Sequence, residues 1–197
     1  MRIRADDVID AAFVVLDEHG LDGLTTRRLT DRLGVAVGAI YWHVRDKREL
    51  LSLLADRIVA DAVLAKPADG DRDWGVHLAE AARGMRRAML AHRDGARLVA
   101  AYAPVSALSV TMAEAGLAVL VGQGVPLDLA AIAGDTVMSF VTGFVLQEQT
   151  MKPEPVGGVP AQELPLLMEW AAMRPSKDVA FERSLAIVIA GVRASLD

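Results

Sequence analysis

The 197-residue chain contains no cysteine. Disulfides, thiol catalysis and cysteine-ligated zinc are thereby excluded. Histidine is scarce: His19, His43, His77 and His92 are the only four. No two of them stand four residues apart, the spacing that aims two imidazoles at one ion from a helix. No serine sits in a G-x-S-x-G elbow. Gly122–Gln123–Gly124 follows an expected helix rather than a strand, which makes it a poor nucleotide loop. Neither catalysis nor a metal or cofactor is expected. Aromatic residues amount to only 5%. No apolar run reaches the roughly 18 residues that cross a bilayer, and the start MRIRADDVIDAAF lacks the unbroken apolar core of a signal peptide. The expectation is a soluble, cytoplasmic protein with no membrane partner. No stretch alternates with period two between hairpin turns, and there is no internal repeat or low-complexity tract.

What is present is helical periodicity. Hydrophobic residues make up 53% of the chain, enough for a large core. Residues 6–19 place Val8, Ile9, Ala12, Phe13 and Leu16 on one stripe, with Asp6 and Asp7 at its start and Gly20 as its stop. Two short helical pieces at 25–33 and 37–44 flank Gly34. Asp46 and Glu49 form a D-x-x-E capping box before a helix over 47–64 with Leu51, Leu54 and Ile58 on one face. The turn-rich PADGDRD at 67–73 reads as a link. Further helices fit 74–91 (Trp74, Leu78, Ala81, Met85, Met89), 106–121, 127–150 (Leu129, Ala133, Val137, Phe140, Phe144), 161–173 and 178–195 (Phe181, Leu185, Val188, Ile189, Val192). RDG at 93–95 interrupts, and 152–160 forms a loop. The fold class is all-α: an N-terminal three-helix module over 1–46, a connecting helix over 47–66, and a larger helical body over 67–197.

Charge is distributed unevenly. The whole chain carries −5, but between 25 and 50 six basic residues (Arg27, Arg28, Arg32, Arg45, Lys47, Arg48) face three acids, a net +3. This basic stretch contains TTRRLTDRLGVAVGAIYWHV at 25–44, which has helix-turn-helix form. Leu29 and Leu33 line the inner side of the first helix, Gly34 permits the turn, and Val37, Ile40 and Val44 can pack back. Such a pair sets its second helix in the major groove of DNA. Thr, Arg, Tyr, His and Lys around it are phosphate-contacting types. Taken singly, the aromatics read as core and the basic run as a solvated face. Their combination after a glycine turn favours DNA.

The run Ile40, Tyr41, His43, Val44, Lys47, Leu50 resembles the "aliphatic–Y–x–H–F/V–x–x–K–x–x–L" signature of the tetracycline-repressor (TetR) family. The resemblance extends upstream through GLDGLTTRRLTDRLGV at 20–35. Downstream, HRDGA at 92–96 and FVTGFVLQEQ at 140–149 resemble the subgroup of the tetracycline repressors themselves. It implies a homodimeric repressor that binds a palindromic double-stranded operator and is released by a small-molecule inducer. It assigns phosphate contacts to Thr26, Tyr41, Trp42, His43 and Lys47, and base reading to Arg27 and to Val37, Gly38 and Ala39. The last three replace Gln-Pro-Thr of the tetracycline repressors, so a different operator is expected, with Arg27 carrying much of the direct readout.

The resemblance also places an inducer pocket in the body, and there the chain departs from its subgroup. Val99 stands where a metal-binding His is found. Val63 and Ala81 replace a drug-binding His and Asn, and Gln147 and Tyr102 replace groups that hold metal-bound water. A hard cation needs oxygen ligands, so Mg–tetracycline is not the expected inducer. Val63, Ala81, Met85, Met89, Val99, Tyr102, Met112 and Gln147 are instead expected to line an apolar, adaptable site. Position by position, a methionine stripe is more often core. Helices 127–150 and 178–195 are expected to pair with a second copy as a four-helix bundle, although the same stripes suit a monomer's own core. By analogy, ligand would shift the segment 93–104 against helix 47–64. An apolar-ligand protein with weak or lost DNA binding is the alternative.

Overall fold

The computed structural model of the protein describes residues 3–64, 73–103, 106–151 and 161–196. Among these, ten α-helices and one 3-10 turn occur and no strand. The expected link at 67–73 lies outside the described residues except for Asp73, and so does the expected loop at 152–160.

The N-terminal module consists of α1 (Ala5–Gly23), α2 (Thr26–Leu33) and α3 (Val37–Tyr41). Asp7 accepts a hydrogen bond from the Arg4 amide at 2.7 Å and so ties down the start of α1. Val8, Ala12, Phe13 and Leu16 are buried, as the stripe requires. Gly20 does interrupt the helix: its φ of 73° is left-handed, and the chain resumes for one more turn to Gly23. The Thr25 hydroxyl accepts from the Arg28 amide and caps α2, while Gly34 ends α2 at φ 65°. The second motif helix is shorter than its pattern. It ends at Tyr41, because the Ile40 carbonyl accepts from both the His43 and Val44 amides and the chain tightens there. That turn drives Val44 into the core beside Leu24, Leu29, Ile40 and Leu50, all nearly inaccessible. Burial of these five side chains, each stabilising by roughly 1.5–3 kcal/mol, fixes the angle of α3 on α2.

The connecting helix α4 (Lys47–Leu64) follows. Asp46 accepts from the Glu49 amide at 2.8 Å, and Glu49 reaches back to the Arg45 amide, one residue before the position a standard capping box uses. Leu51, Leu54, Ala55 and Ile58 face the body. The body comprises α5 (Trp74–Leu90), α6 (Gly95–Tyr102), α7 (Ala107–Gly122), α8 (Leu127–Thr150), the turn Ala161–Glu163, α9 (Pro165–Met173) and α10 (Lys177–Ala194). Helix α6 is an addition to the sequence reading, which has a break at 93–95 and assigns no element to 96–104; eight residues are too few to show a period.

Helix α5 is central and packs against α4, α6, α8 and α10. Its buried line is Leu78, Ala82, Met85 and Met89. Ala81 is a correction to the expected stripe: it is exposed, and Ala82 takes the inward position one step round the helix. On α8 the buried line is Ala130, Ala133, Val137, Val141 and Val145, with Leu129, Phe140 and Phe144 at its margin. This helix is long and apolar enough to span a membrane by composition, but that line packs on α5, α6, α7 and α10. Phe140, Phe144 and Phe181 form an aromatic cluster with centroids 5.3–5.7 Å apart. Arg86 lies over Phe181, forks onto Glu148 at 2.8 and 2.9 Å, and also reaches Asp178, so that α5, α8 and α10 meet at one guanidinium. These bonds to acids raise the Arg86 pKa still further above its ordinary value.

Candidate DNA-binding site

The outer surface of the helix-turn-helix is built from what the inner surface leaves over. Arg27, Val37 and Tyr41 are exposed and Thr26 is half-buried; Val37, expected to pack back on the first helix, lies instead at the open start of α3. Thr26, Tyr41 and Lys47 line one small cleft together with Thr25 and Asp46. Three elements, the start of α2, the end of α3 and the start of α4, thus contribute Thr26, Tyr41 and Lys47 to one cleft, which Leu24, Leu29, Ile40, Val44 and Leu50 also line. Trp42 stands beside them at 88% exposure and Tyr41 at 50%, which rules out the reading of these rings as core. His43 is half-buried at the tight turn. Val37 and Gly38 are exposed at the tip of α3 and Ala39 is half-buried.

The positive charge divides into two groups. Arg28 donates to the Gly23 carbonyl at 2.9 Å, Arg32 pairs with Glu18 at 2.9 Å, and Arg45 pairs with Glu49 at 3.2 Å. The first two tie parts of the module to one another, and the third ties its end to the start of α4. Among the described residues no hydrogen bond or ion pair engages the side chains of Arg27, Lys47 or Arg48, and all three are exposed. Exposed cations without an ion pair, beside exposed aromatic donors, form a surface suited to a polyanion. Composition could count six basic residues but could not sort them, since the sorting depends on which acids the fold brings near.

The residues expected to line an inducer pocket are scattered. Met85 and Met89 are buried in α5. Val99 and Tyr102 on α6 and Met112 on α7 are half-buried, and Ala81 and Gln147 are exposed. Val63 lies on α4, and its side chain is outside the described residues.

A second group, unread in the sequence apart from HRDGA, joins the module to the body. Asp17 on α1 accepts from the Arg93 amide at 2.9 Å and bonds His92 Nδ1 at 3.1 Å. Phe13 stacks on His92 at 4.1 Å, the Leu21 amide donates to Asp94 at 2.8 Å, and Arg97 forks onto Asp22 at 2.9 Å twice. The Arg97 guanidinium holds the Asp22 carboxyl below the usual carboxylate range. Partners some 75 residues apart leave no periodic trace in a sequence.

Comparison with known proteins agrees with this arrangement. Residues 8–54 match the family model for bacterial regulatory proteins of the tetR family, and residues 66–196 match that for the tetracyclin repressor-like C-terminal domain. The class A tetracycline repressor protein from transposon 1721 of Escherichia coli is 37% identical, over 97% of this chain and 91% of its own. A possible TetR family transcriptional regulator from Streptomyces coelicolor superposes with a TM-score of 0.87 at 32% identity, covering 98% of this chain and all of the other. The structure of BioQ with its natural double-stranded DNA operator superposes with a TM-score of 0.72 at 29% identity, covering 98% and 99%. With both halves of the chain matched and a helix-turn-helix presenting unpaired cations, this protein belongs to the TetR family of ligand-responsive, DNA-binding transcriptional repressors.

Proposed function

We propose that the protein is a homodimeric repressor that grips its operator through Thr26, Tyr41, Trp42, His43 and Lys47, reads it mainly through Arg27, and releases it on binding a small, largely apolar inducer. The observation that carries the reading is the cleft shared by Thr26, Tyr41 and Lys47, with the unpaired Arg27 alongside. All of these groups can donate hydrogen bonds to phosphate oxygens, and Arg27 can fork onto a guanine. Val37 and Ala39 offer methyl groups for thymine contacts, and Gly38 offers only backbone. In this reading 1–46 is the DNA-binding module, 47–66 the connecting helix and 67–197 the ligand-binding and dimerisation body. DNA as partner implies a cytoplasmic location.

Apolar surface left uncovered in one chain supports the dimer. Ile132 on α8 is 61% exposed and Ile187 on α10 is 73% exposed; Leu166 and Trp170 on α9 are also open to solvent. A second copy would cover such faces. For the inducer, the relevant chemistry is the donor set. Val99, Val63 and Ala81 offer no oxygen or nitrogen side-chain ligand, and Gln147 and Tyr102 offer no charge. Met85, Met89 and Met112 supply soft, adaptable contacts. The test is a gel shift with DNA flanking the gene, repeated with a panel of apolar compounds and with Mg–tetracycline. A complex that forms and is released by an apolar compound but not by Mg–tetracycline supports the reading. Release by Mg–tetracycline alone refutes the ligand class, and no complex at all favours the apolar-ligand protein without DNA binding.

A further inference from the structure

We infer that Gln149 is a positioning residue that locks the α5–α6 corner to α8 and so sets the seat on which the DNA-binding module docks. The inference rests on the DNA-regulator reading for its functional consequence. Gln149 lies near the end of α8, and all the hydrogen-bonding groups of its amide are committed. Its Oε1 accepts from the Ala96 amide at 3.0 Å, in the first turn of α6. Its Nε2 donates to the Met89 carbonyl at 3.1 Å and to the His92 carbonyl at 2.8 Å, at the end of α5. One side chain thus satisfies the Ala96 amide at a helix start and adds a donor to two carbonyls around the neighbouring helix end that also accept from the His92 and Gly95 amides.

The corner it holds admits little variation. A Cβ on Gly95 would fall 2.2 Å from the Met89 carbonyl oxygen, a backbone atom that cannot step aside. Asp94 adopts a left-handed φ of 58°, unusual for a residue with a side chain. From this corner four side chains reach α1: His92 to Phe13 and Asp17, Arg93 to the Glu18 carbonyl, Asp94 to the Leu21 amide, and Arg97 to Asp22. The kink at Gly20 fits the same seat, since a Cβ there would lie 2.9 Å from Asp94 Oδ2. Beside Gln149, Glu148 binds Arg86 and fixes the end of α8 on α5. Displacement of α8 along its axis therefore pulls on the Met89–Ala96 corner, whose side chains bond α1 directly while α5 and α6 also pack on α4. Gln149 is the amide through which α8 reaches that corner.

The test uses the full chain. Gln149→Leu keeps the volume and removes all three bonds; Gln149→Glu keeps the acceptor for Ala96 and removes the donors. Amide hydrogen exchange is measured at Leu21 and Arg93, whose N–H groups donate across the module–body contact, and along Leu78–Arg86 in the core of the body. Both variants are expected to speed exchange at Leu21 and Arg93 and leave Leu78–Arg86 protected. A purely structural role would speed all of them together, and that result, or unchanged exchange at Leu21 and Arg93, overturns the inference. Affinity for DNA flanking the gene is measured in parallel. Gln149→Leu is expected to weaken it by about 2- to 30-fold, the range of mutations that act on coupling without touching ligand; wild-type affinity in a variant whose Leu21 exchange has risen would overturn the functional half. If the wild type binds no DNA, the regulator reading fails, while the exchange result still decides whether Gln149 sets the seat.

Discussion

Single residues decide how this acidic protein meets DNA. Of the basic side chains around the helix-turn-helix, Arg28 and Arg32 are bound to acceptors within the module and Arg45 to Glu49 on α4, whereas Arg27, Lys47 and Arg48 have no such partner among the described residues. The division assigns different jobs to residues that look alike in the sequence. Arg27 stands at the start of α2 with a fork that fits the O6 and N7 of guanine, and the tip of α3 offers no competing polar reader. Arg27→Ala is therefore expected to lower discrimination between operator and scrambled DNA by about 1–3 kcal/mol while leaving binding to scrambled DNA nearly intact. Competition binding with both DNAs checks this. An equal loss on both would move Arg27 from base reading to phosphate contact.

At the scale of elements, α1 meets the body through side chains of the α5–α6 corner as well as through α4. The pair Asp22–Arg97 reports on it. Hydrogen bonding to Arg97 lowers the Asp22 pKa below its ordinary value. A lowered acid contributes fully above its unfolded pKa, and the contribution disappears as pH falls through the lower, folded one. The α1–α6 contact is expected to loosen in acid, below about pH 4, and Asp22→Asn should remove this part of the pH dependence while leaving neutral-pH stability nearly unchanged, since both side chains are solvated. Hydrogen exchange at the Leu21 amide across pH measures it. Helices this long and periodic were legible in the sequence: α8 spans the very range 127–150 that its stripe marks, and α5 and α10 fall within a residue or so. The short elements were less so. Helix α3 stops at Tyr41 because Val44 is drawn into the core, and α6 is held by Asp94 and Gln149 rather than by its own period. Ala81 and Ala82 could not be told apart, because two adjacent alanines differ only in which way the packed helix faces.

The whole molecule joins a basic tip, a connecting helix and an apolar body. The tip was legible because its motif is local: Thr26, Tyr41 and Lys47 lie within 22 positions and meet in one cleft. The body was legible as a fold and not as a site, since inward methionines serve core and cavity with the same periodicity. What unites the parts is the claim that Lys47 and its neighbours hold the phosphate backbone. The most direct measurement is the affinity for DNA flanking the gene as a function of salt, for the wild type and Lys47→Ala. The account predicts a steep fall in affinity with salt for the wild type, weaker binding of all DNA alike for Lys47→Ala, and a slope shallower by about one counterion per Lys47 removed. Salt-independent binding, or a Lys47→Ala variant with the wild-type affinity and slope, would contradict it.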